Sequence, residues 1–460
     1  MTTTLAITSA LWDELRRMLD DERETAGIIA ARPVSRPGSV TYLGRRLTWA
    51  PADSYLERQA HGLELGSTGW VPATRAALAE GSVPVFIHTH PRGRPEFSKR
   101  DDGVDASLLS ALPAMGGTGA YIALVIAGTS QAPTAAARVY GPVDPLPVSV
   151  DKIRISGDGI TLITRHCVSE AAAWDDETFD RQIRMFGSAG QRTLSALHIA
   201  VVGAGGTGSA TAEQLTRLGV GALTIIDDDV VTEPTPTRGY GMTTADLGRP
   251  KAEVLAEHLG RTGMPTRVGA VTALLQDPAA LDQLKTADAI FSCVDGHAAR
   301  LILNRWAYAY LAPVIDIAIL VSADSSAGTV TGIDGRVTWL GPGAACLLCR
   351  DRIDPALAYA EILEPAERKR LAGEGYVREA QTRQPAVVTL TTLVASLATT
   401  ELLQRLFGIA DPTPTEILAQ IQHRQLRRNR VPQRPGCFCS DEDFLGRGAQ
   451  KPHLDLTWPG

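Results

Sequence analysis

The chain has 460 residues, of which 44% are hydrophobic and 21% are charged. These fractions are ordinary for folded globular proteins, and the length is sufficient for two or three domains. The formal net charge is −6, and the basic residues are scattered along the chain. This distribution of charge argues against nucleic acid or an anionic membrane as the partner.

The N-terminal segment lacks the basic start, apolar core and small-residue cleavage site of a signal peptide. No apolar run is long enough to cross a membrane, so we expect a cytoplasmic protein. The sequence contains six cysteines. In a reducing compartment they are expected to be metal ligands, buried thiols or nucleophiles, because disulfide frameworks form under oxidising conditions.

The first part of the chain is predicted to be a small α/β domain over residues 1–145. Apolar positions at helical spacing predict a helix over 5–20, and short apolar runs predict strands at 27–31 and 83–88. A cluster of prolines ends this part of the chain. The following residues, 146–177, are expected to form a hairpin and linker.

The second part opens with a strand, a glycine-rich turn and a helix, which is typical of a βαβ unit in a nucleotide-binding fold. Buried strands are predicted at 287–295 and 312–319, and a strong apolar helix is predicted at 387–408. A doubly wound sheet accounts for this order of elements. We expect this α/β domain to span residues 178–440, and residues 441–460 to form a loose tail.

A candidate metal site lies in the run IHTHPRGRPEFSKRDD. His88 and His90 are two residues apart, so both imidazoles point to the same face of a strand. With Asp101 as third ligand, zinc keeps one position for water, which is the catalytic arrangement. An isolated His-x-His pair is more often two surface imidazoles, so this interpretation depends on further residues.

Glu24 is the candidate carboxylate that takes a proton from the water and delivers it to the leaving amine. Glu24, the His-x-His-Pro run, Ser98 and Asp101 together resemble the JAMM (JAB/MPN) metalloprotease motif at every position. The resemblance implies a cytidine-deaminase-like α/β domain with deubiquitinase-type activity, in which Ser98 helps to hold the oxyanion. Glu22 and Asp102 lie nearby, but neither holds the family position.

A second candidate site begins at the glycine-rich turn GAGGTGS. Glycines let phosphates approach the backbone, and the N-terminus of the following helix offers N–H donors. The turn alone is as typical of NAD sites as of ATP sites. It contains four glycines, Gly203, Gly205, Gly206 and Gly208.

The residues that follow the turn favour ATP over NAD. Asp227 ends the next predicted strand and can bind a ribose, and Arg238, Lys251 and Asp295 follow at wide spacing. Two cations and a carboxylate suit a triphosphate with magnesium, whereas the pyrophosphate of a dinucleotide is held mainly by backbone groups.

Residues 178–440 resemble the ThiF-type enzymes that activate ubiquitin and sulfur-carrier proteins, including molybdopterin-synthase adenylyltransferase. The resemblance rests on GAGGTGS, IDDD, TRGYG, DLGRPKAE and VDGHAAR. It implies attack of a terminal glycine carboxylate of a β-grasp protein on ATP, which gives an acyl adenylate and pyrophosphate. The implied roles are Gly206 at the phosphate turn, Asp227 at the ribose, Arg238 and Lys251 on the phosphates, Asp295 on magnesium, and Arg181 in the active site of the other subunit of a homodimer.

Two departures from this family bear on activity. Where the family has Asn-Leu-x-Arg-Gln, residues 235–239 read TPTRG, so the Asn and Gln contacts are missing and nucleotide binding is expected to be altered. Thioester-forming members carry a cysteine before the apolar helix, but residues 374–390 contain none. We expect adenylation without an enzyme thioester there, and transfer to a separate sulfur donor or conjugating enzyme.

Four cysteines stand where the activating family binds a structural zinc ion, which would close a tetrahedral site. They are Cys346, Cys349, Cys437 and Cys439. The second pair is separated by one residue instead of two, so a pair of free thiols at 437 and 439 is the alternative. The two other cysteines are interpreted as a core residue, Cys293, and a linker residue, Cys167.

These observations favour a bifunctional enzyme that acts on one ubiquitin-like protein. The protease would trim the partner's C-terminus or remove it from conjugates, and the second domain would adenylate the exposed glycine. Fusion raises the local concentration of a shared substrate. Two alternatives stay open: adenylation of a short peptide or a tRNA base, and a nucleotide half that is only a binding platform.

Overall fold

The computed structural model describes residues 1–460 except 118, 142–145, 165–176, 325–328, 364, 374–384, 410, 412–414, 449, 451–452 and 457–460. The chain divides into two compact units. The first is formed mainly by Met1–Gly157 together with Glu442–Ala449, and the second mainly by Val168–Asp441.

The first unit combines a large sheet with three α-helices. The strands are β1 Thr2–Thr8, β2 Ala26–Arg36, β3 Ser39–Trp49, β4 Tyr55–Gln59, β5 Gly62–Leu65, β6 Val83–Pro91, β7 Tyr121–Thr129, β8 Ala132–Tyr140, β9 Val148–Ser149, β10 Lys152–Ser156 and β11 Ile160–Thr164. The helices are α1 Ser9–Arg17, α2 Val71–Ala79 and α3 Lys99–Ala111.

Nine of these strands form one sheet in the order β11-β10-β1-β3-β2-β6-β7-β8-β9, and β4 and β5 form a separate hairpin. Side chains alternate across β6. Val85 and Ile87 belong to the core layer that includes α1, whereas Phe86 belongs to the layer that includes α3. His88 and His90 continue the Phe86 side of the strand, so the pleat directs both imidazoles toward α3.

Two segments of this unit differ from their sequence-based predictions. The helix predicted over 5–20 starts later, because Thr2–Thr8 is rich in β-branched residues and forms a strand paired in parallel with β3 and β10. In the segment predicted as hairpin and linker, residues 148–164 include β9, β10 and β11 of the same sheet. Residues 165–176, with Cys167, lie outside the described residues.

The second unit alternates helices and strands. The strands are β12 His198–Val202, β13 Ala222–Ile226, β14 Arg267–Val271, β15 Ala289–Ser292, β16 Val314–Asp324, β17 Thr329–Leu340, β18 Glu416–Gln420 and β19 Gln425–Asn429. The helices are α4 Asp180–Ala196, α5 Gly206–Arg217, α6 Lys251–Gly260, α7 Pro278–Leu284, α8 His297–Ala309, α9 Pro355–Ile362, α10 Pro365–Gly373 and α11 Val388–Phe407.

The strands of this unit form one sheet in the order β14-β13-β12-β15-β16-β17-β18-β19. Neighbours from β14 to β16 are parallel, and those from β16 to β19 are antiparallel. The doubly wound arrangement predicted from the sequence is therefore confirmed. Because β12 lies between β13 and β15, the winding reverses beside β12, where open α/β sheets bind ligands beyond the strand ends.

The predicted apolar helix is α11, which packs against α5 and the adjoining strands β16 and β17. Most of the crossover segment before it, residues 374–384, lies outside the described residues. Within the described ranges, no helix is both long and apolar enough to cross a membrane.

Part of the segment predicted as a loose tail makes specific contacts. Phe444 and Leu454 are almost completely buried. Arg45 of β3 donates hydrogen bonds to the carbonyl oxygens of Asp443 and Leu445 at 2.7 and 3.2 Å. The polar composition of the tail does not reveal these contacts, because they depend on a partner surface far away in the sequence.

A buried carboxylate in the second unit allows a test of how the core of that unit is stabilised. Asp316 of β16 is fully buried and accepts hydrogen bonds from Ser292 at 2.8 Å and Arg336 at 2.5 Å. Removing one partner of a buried ion pair leaves an uncompensated charge and costs about 3–5 kcal/mol. We expect Asp316→Ala to lower the free energy of unfolding of this unit by that amount, measured by amide hydrogen exchange in β15 and β16.

Asp180→Ala is the matched control, because Asp180 pairs with Arg184 at 2.9 Å on an exposed helix surface. Exposed pairs of this kind contribute about 0.5 kcal/mol or less. A loss in Asp316→Ala that is no larger than the loss in the control would contradict the prediction.

Candidate functional site

Three side chains of the first unit converge at the end of β6. The Nε2 atoms of His88 and His90 are 3.0 Å apart, and Asp101 Oδ1 lies 3.2 Å from His88 Nε2. The candidate ligand atoms all lie within 4.8 Å of one another. Zinc binds imidazole and carboxylate ligands at about 2.0–2.2 Å, so one ion fits between the three. The structure thus brings together the residues predicted from the sequence as metal ligands.

Asp101 is held by the helix that carries it. Ser98 is the N-cap of α3 and forms a capping box with Asp101. The backbone N–H and the hydroxyl of Ser98 donate to Asp101 Oδ2 at 2.6 and 2.7 Å, which leaves Oδ1 facing His88. Burial raises the pKa of Asp101, but hydrogen bonds from His88 and Ser98 outweigh it and hold the pKa well below its usual range.

His90 is oriented by its second ring nitrogen. Its Nδ1 lies 3.0 Å from the carbonyl oxygen of Arg94. A proton on Nδ1 leaves the Nε2 lone pair free for the site, which is the usual arrangement for a metal-binding histidine. Burial lowers the pKa of His90, and the neighbouring His88 lowers it further. Both effects favour the neutral imidazole that metal binding requires.

Glu24 lies in the loop before β2 and is almost completely buried. Its Oε1 lies 3.8 Å from His90 Nε2. Burial raises the pKa of Glu24 to about 7, with His88 opposing and Asp101 reinforcing the shift. A carboxyl group that titrates near neutrality can both accept and return a proton, as a general acid–base must.

Arg58 was not singled out in the sequence, yet it holds the Glu24 loop. Its guanidinium donates to the carbonyl oxygen of Glu24 at 2.9 Å and to the hydroxyl of Thr25 at 2.6 Å. It also pairs with Asp21 at 2.9 Å. No motif distinguishes Arg58 from the other basic residues, because its role depends on how the β4–β5 hairpin folds back.

A cavity of about 350 Å³ adjoins the pocket around the candidate metal ligands. Its lining is mainly apolar and includes Leu63, Leu65, Trp70, Phe86, Val104 and Leu108. Arg100 borders both this cavity and the pocket around the histidines, and it pairs with Glu57 at 2.6 Å. These residues come from separate elements, so the sequence carries no signal that they meet.

In the second unit, the glycine-rich turn joins β12 to α5. Gly203 has a φ of 93°, and a Cβ added at Gly208 would lie 1.7 Å from the carbonyl oxygen of Gly203. Asp227 Oδ2 accepts a hydrogen bond from the N–H of Ala204 at 2.5 Å. Burial raises the pKa of Asp227, while the hydrogen bond from Ala204 opposes the shift. The turn is therefore held tightly against the end of β13.

The other predicted nucleotide-binding residues lie around this turn. A Cβ added at Gly206 would lie 3.4 Å from Cβ of Arg238. Lys251 at the start of α6 pairs with Asp229 at 2.6 Å, just beyond the end of β13. Asp295 is exposed in the loop that follows β15. The structure thus brings these residues to the loops after β12, β13 and β15.

Arg181 lies elsewhere. It is exposed in the first turn of α4, and its neighbour Gln182 donates a hydrogen bond to the carbonyl oxygen of Arg217 at 2.8 Å. Arg217 ends α5, whereas the glycine turn begins it. The 12 residues of α5 span about 18 Å at 1.5 Å per residue. Arg181 is therefore not brought to the glycine turn of its own chain.

The four predicted zinc ligands also converge. The sulfur atom of Cys346 lies 3.7 Å from that of Cys349 and 3.6 Å from that of Cys437, and Cys349 and Cys439 are 3.6 Å apart. Zn–S bonds of about 2.3 Å in a tetrahedron place sulfur atoms about 3.8 Å apart. The single residue between Cys437 and Cys439 does not prevent both thiols from reaching one centre.

Comparison with known proteins places the second unit in a family. Residues 179–439 match the ThiF family, and this match covers more than half of the chain. The chain belongs to the ThiF family. Residues 7–140 match prokaryotic homologs of the JAB domain. The protein therefore joins a JAB-type domain to a ThiF-type adenylyltransferase domain.

Two relatives of this ThiF-family chain are each identical to it at about a quarter of the aligned positions. The molybdopterin-synthase adenylyltransferase of Escherichia coli K12 is 27% identical over 266 residues, which are 56% of this chain and 94% of the relative. The sulfur carrier protein adenylyltransferase of Thermus thermophilus is 27% identical over 58% of this chain and 93% of its own length. The solved E. coli MccB with ATP superposes with a TM-score of 0.44 at 16% identity, covering 57% of this chain and 74% of MccB.

Substitutions at two glycines of the ThiF-type turn distinguish an effect on folding from an effect on nucleotide binding. A Cβ at Gly208 would overlap the Gly203 carbonyl, whereas a Cβ at Gly205 meets nothing within 4 Å. Gly208→Ala is expected to cost about 1–3 kcal/mol of stability through overpacking. Gly205→Ala should unfold at the parent temperature but bind ATP more weakly in calorimetry, because its methyl group occupies the approach of the phosphates. Unchanged ATP affinity in Gly205→Ala would contradict this placement of the phosphates.

Proposed function

We propose that this protein is a zinc metallopeptidase of the deubiquitinase type fused to an adenylyltransferase that activates the C-terminal glycine of a ubiquitin-like β-grasp protein. The observation that carries the peptidase half is the convergence of His88, His90 and Asp101 beside the buried Glu24. The match to the ThiF family supports the adenylyltransferase half. In this proposal the peptidase trims the partner or releases it from conjugates, and the adenylyltransferase then activates the exposed glycine.

The proposed peptidase chemistry follows from the side chains that can bind the metal ion. Two neutral imidazoles and one carboxylate suit zinc, which in such a site supplies a Lewis acid and an acidified water. Glu24 takes a proton from the attacking water and delivers it to the leaving amine nitrogen. The hydroxyl of Ser98 turns to donate a hydrogen bond to the developing oxyanion. The capping hydrogen bond from the Ser98 backbone N–H to Asp101 does not involve this hydroxyl.

The apolar cavity indicates how the substrate is held. Leu63, Trp70 and Leu108 line a space next to the histidines that suits a large apolar side chain of an extended peptide. A flexible C-terminal tail can reach this space, whereas a folded domain cannot enter it. The geometry therefore supports cleavage near the tail of a small folded protein.

Replacement of Glu24 tests the peptidase directly. Glu24→Gln cannot accept the proton, so kcat for cleavage of a ubiquitin-like fusion should fall about 10²–10⁴-fold. Zinc content should not change, because Glu24 is not a ligand in this assignment. Glu22→Gln is the matched control, since Glu22 is exposed and pairs with Arg92. Cleavage by Glu24→Gln at the rate of this control would refute the assigned base.

The pH dependence of cleavage follows from the same residue. Glu24 must be ionised to act, and burial raises its pKa to about 7. The rate should therefore fall as the pH drops through about 7. A bound cation stabilises the carboxylate and moves this limb to lower pH. An acid limb well above pH 7 would argue against Glu24 as the base.

The adenylyltransferase is proposed to use ATP and magnesium. Gly203, Gly205, Gly206 and Gly208 form the phosphate turn, and Asp227 binds the ribose. Arg238 and Lys251 neutralise the phosphates, and Asp295 holds magnesium. Alignment and charge neutralisation suffice for attack of a carboxylate on the α-phosphate. The acyl adenylate then passes to a separate sulfur donor or conjugating enzyme.

The thiols of Cys346, Cys349, Cys437 and Cys439 are proposed to bind a structural zinc ion. Their sulfur spacing supports a closed tetrahedral site. Hydrogen bonding within the cluster lowers the pKa of Cys346 well below that of a free thiol, which favours a thiolate ligand. A closed site of this kind has a folding role rather than a catalytic one.

The adenylyltransferase is proposed to act as a homodimer, with Arg181 serving the other subunit. Arg181→Ala and Asp295→Ala should each abolish ATP–pyrophosphate exchange stimulated by a carrier with a Gly-Gly C-terminus. After subunit exchange in an equal mixture, half of the dimers are mixed, and each mixed dimer has one intact site. Exchange should then return to about a quarter of the parent rate. No recovery would indicate that Arg181 acts within its own chain, and full activity of Arg181→Ala alone would indicate that Arg181 has no role.

The same assay separates the alternative acceptors. Exchange that depends on a Gly-Gly carrier supports the proposal. Exchange driven by a short peptide without that terminus, or by a tRNA, would indicate that this peptide or tRNA, and not a ubiquitin-like protein, is the acceptor. Failure to bind ATP, with cleavage intact, would indicate that the second domain is only a binding platform.

A further inference from the structure

We propose that Arg138 is a positioning residue for the peptidase metal site, which it organises by clamping the residues on both sides of Ser98 and Asp101. The inference rests on the proposed metallopeptidase function. Arg138 belongs to β8 and touches none of the three ligands itself. Its side chain is 11% exposed, and its contact with the buried Asp105 is shielded from water and salt, whereas its other partner, Asp102, is largely exposed.

The guanidinium holds α3 through two carboxylates. Nη1 of Arg138 lies 2.7 Å from Asp102 Oδ1, and Nη2 lies 2.6 Å from Asp105 Oδ2. Nε also donates to Asp105 Oδ2 at 2.9 Å. A planar guanidinium fixes such forked contacts in both distance and direction. Asp102 directly follows Asp101, so the helical turn that carries the metal ligand is tied to the sheet.

Asp105 completes this attachment. It is almost completely buried and also accepts hydrogen bonds from the hydroxyl groups of Tyr121 at 3.1 Å and Tyr140 at 2.9 Å. These tyrosines belong to β7 and β8. A buried carboxylate with several charged and neutral donors has one favourable position, so α3 cannot rotate or slide without breaking the network.

The same guanidinium reaches His88 through Phe97. The Arg138 guanidinium carbon lies 4.0 Å from the centre of the Phe97 ring, which is a cation–π geometry. The Phe97 ring meets His88 edge-on, with ring centres 6.5 Å apart, and Phe86 packs against His88 at 6.1 Å. His88 therefore contacts two aromatic rings, and Arg138 packs against one of them.

This packing matters because the two histidines are oriented differently. His90 uses its Nδ1 to bond the carbonyl of Arg94, but the buried Nδ1 of His88 has no hydrogen-bond partner among the described residues. Metal-binding histidines normally rely on such a bond for their ring orientation. At His88, ring packing takes the place of this bond on the Nδ1 side of the imidazole, and Phe97 and Arg138 contribute to that packing.

Metal affinity of the full chain tests this role, with zinc measured by competition against a chromogenic chelator. The difference between the parent and His88→Ala isolates this site from the cysteine cluster. Arg138→Lys keeps the charge but loses the two-pronged hydrogen bonding of the guanidinium and its flat surface for stacking on Phe97. Zinc should therefore bind about 10–100-fold more weakly, which is the effect of losing residues that orient metal ligands. The absorption spectrum of cobalt at this site should change, and kcat should fall more than KM changes.

Arg45→Lys is the matched control, because Arg45 is another shielded arginine of the same sheet that bonds carbonyl oxygens instead of α3. Phe97→Leu is a milder second variant that keeps apolar bulk while removing the ring, and it should weaken zinc in the same direction. Zinc affinity and cobalt spectrum at parent values in both Arg138→Lys and Phe97→Leu would overturn the inference. A parent chain without any His88-dependent metal would instead overturn the metallopeptidase proposal itself.

Discussion

Asp101 divides its two carboxylate oxygens between a helix and a cluster of candidate metal ligands, and the geometry of the candidate site depends on that division. Oδ2 closes the capping box with Ser98, while Oδ1 faces His88. A Ser-x-x-Asp spacing is what an N-cap requires, so the same two residues that begin α3 also aim one oxygen at the histidines. The start of the helix therefore places Asp101 Oδ1 beside His88.

Two carboxyl groups share this pocket, and their surroundings drive their pKa values apart. Asp101 accepts hydrogen bonds that keep its pKa low, whereas burial without a comparable donor raises the pKa of Glu24 to about 7. Such divergence is how one site obtains both a permanent anion and a proton carrier. On the proposed roles, the metal ligand and the base are thus distinguished by their hydrogen-bond partners rather than by residue type.

Local patterns were sufficient to predict much of this arrangement. The period of two on β6 predicts that His88 and His90 share a face, and the glycine turn after β12 predicts a βαβ unit. The strand at Thr2–Thr8 was missed because its apolar residues also fit a helical spacing. Arg58 and Arg138 could not be predicted, because each acts through contacts with elements remote in sequence and neither belongs to a local motif.

The altered loop at 235–239 shows how the adenylyltransferase unit accommodates its departure from the family pattern. Thr235 is almost completely buried, and its hydroxyl oxygen accepts a hydrogen bond from the N–H of Thr232 at 3.0 Å. A Cβ added at Gly239 would lie 2.8 Å from the sulfur atom of Met242, so a glutamine there would require the Met242 side chain to move. The loop thus supports Arg238 by internal contacts. On the proposed roles, nucleotide binding then relies more on the charges of Arg238 and Lys251 and less on neutral hydrogen bonds.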